Sequence, residues 1–292
     1  MQRQFVLATG LGLALLAGPV TTAPALAQEA STPASFATTQ PQTYELLQAI
    51  GLYDVLEIMS VEGVANAADL ENDMFAGQGG AAWAGMVANI YAQPRLVADF
   101  EAAWDVTSLD EAALAELIAY FDSETGVKLI EGELLARREF MDKEVEAAAN
   151  EIYAQSLSDE DPRIAQLDTF ISANGLIDLN VAGALNSNFA FYRGLTDGGA
   201  FEMELPEELM LAEVYGQEPE IRANTTLWLY SYQLTAYSGV SDEEFQTYID
   251  LSATQAGRAL NIALFQAFDR VFESVSYDLG RAASVFMTGD DI

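Results

Sequence analysis

Large apolar residues recur along this chain at steps of three and four, the period of a helix with one face sunk in a core. The clearest case is Leu114, Leu117, Ile118 and Phe121, which places four apolar groups on one helix face. Ser108 and Glu111 stand three apart just before it, the spacing of a capping box in which each side chain satisfies an early amide of the helix. A later segment repeats the design, with Phe245, Tyr248 and Ile249 on one face and Ser241 with Glu244 as its box. Beyond Gly257, Leu260, Leu264, Phe268, Val271 and Val275 predict a long helix reaching roughly to Ala283. Alternating runs bounded by hairpin turns are scarce. The segment "TTLWLYSYQL", Thr225 to Leu234, carries β-favouring residues inside a pattern that fits a buried helix equally. The expected fold class is all-α, a helical bundle.

The two segments also match position by position. A shift of 131 aligns Leu109 with Val240, Leu114 with Phe245, Ile118 with Ile249, Ser123 with Thr254, Gly126 with Gly257 and Leu129 with Leu260. Upstream, "LQAIGLYDVL" from Leu47 aligns with "ISANGLIDLN" from Ile171 at a shift of 124, superposing Gly51 on Gly175 and Asp54 on Asp178. An insertion in the second copy accounts for the changed shift. It falls around "DGGAFEMELPEE", where Gly198, Gly199 and Pro206 mark a loop and a new helix start. A period this long implies duplication of a whole helical unit, since solenoid repeats recur every ~20 to 50 residues. The expected organisation is a first unit over 44–155 and a second over 156–292. "SLSDEDPRI" from Ser156 joins them, with Asp161 as N-cap and Pro162 in the first turn of the next helix.

The N-terminus changes the picture of where such a bundle works. Arg3 precedes an apolar run from Phe5 to Gly18, and Ala25-Leu26-Ala27 follows as a small-x-small cleavage signal, the order of a secretory signal peptide over 1–27. The run is shorter than the ~20 residues a membrane span requires, and no later segment offers an uninterrupted apolar stretch of that length. Cleavage near Ala27 implies a periplasmic or secreted protein. Residues 28–43, rich in Ser, Thr, Pro and Gln, read as a flexible leader.

Among 292 residues there are 45 acidic against 12 basic side chains and no cysteine, so stability rests on a packed core alone. A net charge of −33 repels phosphate backbones and anionic headgroups, which argues against nucleic acid as a partner. The absence of His and Cys excludes Ser-His-Asp and Cys-His catalytic arrangements and zinc sites built from those ligands. "GQGGAA", Gly77 to Ala82, satisfies a relaxed dinucleotide fingerprint but lacks the preceding strand that fingerprint needs, and reads as a loop between helices. Asp69, Glu71 and Asp73 invite a calcium reading, yet Met74 and Gly80 stand where an EF-hand loop requires Gly and Glu. Trp83, Trp104 and Trp228, with Tyr230, Tyr232 and Tyr237, read as core or as the lining of a groove. Arg137, Arg138 and Lys143 form the single basic cluster, expected to make ion pairs on its own helix such as Glu139 with Lys143.

The stretch "LDEAALAELIAYFDSETGVKLIEGE" from Leu109 resembles the signature of the bacterial secreted family termed domain of unknown function 2059. The matching features are Asp110 and Glu111 at the helix start, Tyr120 and Phe121 at its end, then Ser123, Gly126 and Leu129. The second copy follows more loosely through Asp242, Glu243, Thr254, Gly257 and Leu260, with Ser252 replacing the final aromatic. The resemblance implies a secreted α-helical protein and transfers no catalytic or binding residue. The sequence thus nominates no catalytic, cofactor or metal residue and no cofactor. The expected function is a non-enzymatic binding protein for a protein or small-molecule partner in the cell envelope. A carboxylate-dependent hydrolase acting on glycan and a low-affinity calcium-binding protein stand as alternatives.

Overall fold

The computed structural model describes residues 35–201 and 206–287. The expected signal peptide and the start of the leader, 28–34, lie outside the described residues. Among those described, the chain is helix and turn with no strand, so the fold is all-α. In chain order the helices are α1 (Phe36–Thr39), α2 (Pro41–Ala49), α3 (Leu52–Phe75), α4 (Gly80–Ile90), α5 (Gln93–Ala103), α6 (Glu111–Phe121) and α7 (Glu124–Glu139). They continue as α8 (Lys143–Ser158), α9 (Pro162–Asn174), α10 (Leu176–Asp197), α11 (Glu207–Gly216), α12 (Glu218–Ala236), α13 (Asp242–Ser252) and α14 (Gln255–Met287).

Helix begins inside the expected leader, a correction with a clear cause. Phe36 is buried and its amide donates to Glu101 at 3.1 Å, while Pro41 opens α2. One aromatic anchor and one proline with its preset φ order a stretch whose composition reads as too polar to fold. The ambiguous segment Thr225 to Leu234 is helical within α12, where Leu229, Tyr230, Tyr232 and Ala236 are buried.

Helix starts follow local chemistry closely. Ser241 forms the expected capping box: its hydroxyl accepts from the Glu244 amide at 3.2 Å, and Glu244 accepts from the Ser241 amide at 2.7 Å. Asp161 caps α9 by accepting from the Arg163 amide, with Pro162 in the first turn. The start of α6 departs from expectation, because Asp110 rather than Ser108 caps it and accepts from the Ala113 amide at 2.8 Å. Leu109 is buried just before the cap, and this anchor sets the start two residues later than Ser108. Asp110→Ala is therefore expected to cost about 1 kcal/mol and Ser108→Ala less than ~0.5 kcal/mol, read from urea unfolding midpoints.

Two apolar clusters hold the bundle together. In the first, Leu46, Leu56, Leu96, Phe100 and Leu117 from α2, α3, α5 and α6 pack with Ala267, Val271 and Leu279 of α14. In the second, Leu129, Phe140 and Ala149 of α7 and α8 pack with Leu167, Phe170, Tyr237 and Phe245 from α9 to α13. Both clusters span the boundary expected at 155/156. The C-terminal helix α14 packs most extensively on α10 and also lies on α3, α4, α5 and α6, while α7 and α8 lie on α12. Paired contacts give the directions: Arg95 meets Asp278 and Phe100 meets Phe268, so α5 and α14 run antiparallel. Trp228 meets Phe140 and Tyr237 meets Glu133, so α12 and α7 also run antiparallel. The α2–α3 and α9–α10 junctions both pass through a left-handed glycine, Gly51 at φ +67 and Gly175 at φ +61.

Candidate functional site

Where α3, α6 and α7 face α9, α10, α12, α13 and α14, packing leaves a cavity of about 280 Å³. Most of its wall is apolar, including Leu117, Phe121 and Ile130 on one side and Phe170, Leu264, Phe268 and Phe272 on the other. Trp228 and Tyr232 stack with centroids 4.6 Å apart and interplanar angle 13°, and Tyr237 and Tyr248 extend the aromatic surface. No lysine or arginine is among the lining residues.

The polar lining groups are few. Asn174 and Asn180 donate to carbonyls of their own helices, Phe170 and Leu176, and Asn261 of α14 donates to the Asn174 carbonyl at 2.9 Å. Gln233 is 3% exposed, and its Oε1 is buried with no hydrogen-bond partner among the described residues. Leaving such an acceptor unmet costs on the order of 1–3 kcal/mol, a cost a bound donor would remove.

Glu133 supplies one of the wall's two carboxyl groups. It is partly exposed and borders the cavity. Its Oε1 accepts from the Tyr237 hydroxyl at 2.6 Å, Tyr248 donates to the same carboxyl, and the Tyr232 hydroxyl donates to its main-chain oxygen at 3.0 Å. Burial pushes the carboxyl up to about 7, and the two tyrosine bonds only partly oppose that rise. In turn, burial beside Glu133 holds the Tyr232, Tyr237 and Tyr248 phenols well above their usual range, so all three stay neutral donors. A second lining carboxylate, Asp269 on α14, is pushed up to about 6 by burial and by neighbouring Glu273.

One turn after Glu133, Arg137 is 2% exposed and donates to Glu62 of α3 at 2.9 Å. Burial pushes Glu62 up and Arg137 down, and the attraction between them opposes both shifts. Arg138 and Lys143 also reach α3, at Asp54 (4.0 Å) and Asp69 (3.5 Å). The expected pair of Glu139 with Lys143 is replaced by these contacts, because α7 ends at Glu139 and α8 restarts at Lys143, so the two are not on one continuous helix.

The remaining candidates separate cleanly. Trp83 and Trp104 are core, at 2% and 6% exposure, and Tyr230 is buried, whereas Trp228, Tyr232 and Tyr237 meet at the cavity. Of the stretch Gly77 to Ala82, Gly77 to Gly79 joins α3 to α4 and Gly80 opens α4, its amide donating to Glu71 at 2.7 Å. Asp69, Glu71 and Asp73 lie on the last turns of α3. No three carboxylates converge to hold a metal among the described residues.

Glu133 escapes a sequence reading because "EGELLARRE" looks like a solvated helix face. A signal was nonetheless present. At the shift of 131, Glu133 and Arg137 align with Leu264 and Phe268, so charged groups stand on the inward stripe of Leu129, Ile130 and Phe140, where the aligned segment is apolar. No family model, curated protein or solved structure matches the chain, so the resemblance in sequence rests on its own quoted residues.

Proposed function

We propose that this protein is a non-enzymatic, two-copy helical binding protein of the periplasm or extracellular space, and that it holds a small apolar molecule between its two halves. The observation that carries the reading is the cavity of about 280 Å³, walled by aromatic and aliphatic side chains with a few convergent polar groups. The likeness of the two copies supports it. Gly51 and Gly175 share a backbone state, Ser123 and Thr254 cap α7 and α14 in the same way, and α7 with α8 packs on α12 while α14 packs on α3 to α6 as well as on α10. The sequence resemblance to a secreted helical family and the acidic surface agree with an envelope location.

The test uses N-phenyl-1-naphthylamine, an uncharged dye that brightens in apolar surroundings. The protein should take it up saturably, and Leu264→Trp, which fills the cavity from α14, should reduce uptake at least ~10-fold with the circular dichroism unchanged. Uptake that is unaffected by Leu264→Trp would place binding elsewhere and defeat the reading.

The hydrolase alternative gains one observation, two raised carboxylates, Glu133 and Asp269, on one cavity. Against it, sugar hydroxyls require many polar partners, and this wall is mostly apolar, with each of its asparagines spending a donor on a backbone carbonyl. Turnover of a fluorogenic glycoside, lost in Glu133→Gln, would favour that alternative.

A further inference from the structure

We infer that the molecule held in this cavity is an amphipathic organic cation, an aliphatic ammonium on an apolar body, with its nitrogen against Glu133 and Gln233. The inference rests on the binding reading above and names the chemistry of its ligand.

Three independent features of the wall converge on it. First, the charged lining groups are acidic: Glu133 from α7 and Asp269 from α14 face a space that no lysine or arginine borders. An anionic headgroup would meet repulsion there in low dielectric, and a cation would meet attraction. Second, the unmet group is an acceptor. Gln233 Oε1 is buried without a partner among the described residues, and the Tyr237 and Tyr248 hydroxyls already spend their protons on Glu133. A ligand that donates N–H satisfies both acceptors, and one that only accepts satisfies neither. Third, the surface around these acceptors is aromatic, with Trp228 and Tyr232 stacked and Tyr237 and Tyr248 adjoining. Ring faces attract ammonium groups within about 6 Å of their centroids. The net charge of −33 concentrates cations near the protein before any contact is made.

The same geometry makes binding pH-dependent. The groups around Glu133 are Tyr232 on α12, Tyr237 at its C-terminal end, Tyr248 on α13 and Tyr120 on α6, with Asp269 of α14 on the same cavity wall and Arg137 one turn along α7 held by Glu62 of α3. The tyrosines stay neutral across the working range, which leaves the two lining carboxyls, Glu133 raised to about 7 and Asp269 to about 6, to set the response. An ammonium pairs with their ionised forms, so affinity should rise as pH passes upward through about 6 and about 7.

The test is competition against bound N-phenyl-1-naphthylamine by decylammonium, decanol and decanoate, with the full secreted chain at pH 5.5 and 8. The chain length is common to all three, the ammonium keeps its charge over this range, and the carboxylate is mostly ionised at pH 5.5 and fully so at pH 8. Decylammonium should compete ~10-fold or more better than decanol or decanoate at pH 8. That preference should shrink at pH 5.5 and in Glu133→Gln, and it should vanish in Leu264→Trp. Equal competition by all three or a preference for decanoate would overturn the inference and leave the apolar-binding reading standing, whereas a decylammonium preference that survives Leu264→Trp would place the ammonium outside the cavity and overturn the inference. Failure of the dye and all three competitors to bind would overturn both. The pH comparison on the unaltered protein decides the matter even if Glu133→Gln does not fold.

Discussion

Replacing Arg137 by methionine is expected to destabilise the protein by about 3–5 kcal/mol in alkaline solution, a far larger effect than removal of any other ion pair would have. Arg137 is 2% exposed and its Glu62 partner is largely covered, whereas the Lys143 and Arg222 pairs lie at the surface, where an ion pair contributes at most ~1 kcal/mol. Methionine keeps most of the stem's packing and removes the charge that offsets Glu62's burial. The sign follows from Glu62. Its folded carboxyl lies at about 7, above its ordinary value of 4.5, so the native state holds a proton that the unfolded chain has lost, and stability falls as pH rises through that window. Without the guanidinium the folded value climbs further and the window extends upward. The deficit of Arg137→Met should therefore be small near pH 5.5 and widen steadily above pH 7. Urea unfolding of both proteins at pH 5.5, 7 and 9 measures it. Glu62→Gln on the Arg137→Met background should recover most of the loss at pH 9, since no uncompensated charge then remains; a deficit independent of pH would mean that packing rather than charge is at stake.

This pair also marks the limit of what the sequence disclosed. Helical class, the Ser241 and Asp161 caps and the inward face of Leu114, Leu117 and Phe121 were all legible, because each depends on residues within one or two turns. What escaped depends on partners far along the chain. Glu62 and Arg137 are 75 positions apart, and Tyr237 and Glu133 are 104 apart, so no periodicity couples them. The cavity is not encoded in any one segment. It arises where α7 and α14, alike in position, face each other across the bundle with a charged stripe on one and an apolar stripe on the other. The break between α7 and α8 was invisible for a related reason: residues 124–158 and 255–287 look equally helical, and only the first folds as two helices, with Asp142 capping the second by accepting from the Glu144 amide.

The repeated glycines show how a local motif can be seen in sequence and still be understood only through packing. Gly126 and Gly257 have helical backbone, and each sits at the third position of its helix, its amide donating to the cap side chain, Ser123 at 3.1 Å and Thr254 at 3.0 Å. Their role is space rather than a special φ. A Cβ on Gly126 would overlap the Tyr120 carbonyl oxygen and lie 2.6 Å from Phe121 Cα; one on Gly257 would overlap the Leu251 carbonyl oxygen and lie 2.8 Å from Ser252 Cα. The obstacles are main-chain atoms of the preceding helix, which cannot rotate aside as a side chain can. Helix α6 must therefore pull away from α7, and α13 from α14, for any larger residue to fit. Alanine at either site is expected to cost on the order of 3 kcal/mol, the upper range for overpacking, and valine more. The two need not be equal in function. Gly257 borders the cavity and Gly126 does not, so Gly257→Ala should weaken dye uptake as well as stability, while Gly126→Ala should lower the melting temperature with uptake retained below it. Thermal unfolding and dye titration on the two single variants separate these effects. Melting unchanged by either substitution would show that the close approach of consecutive helices is not what these glycines secure.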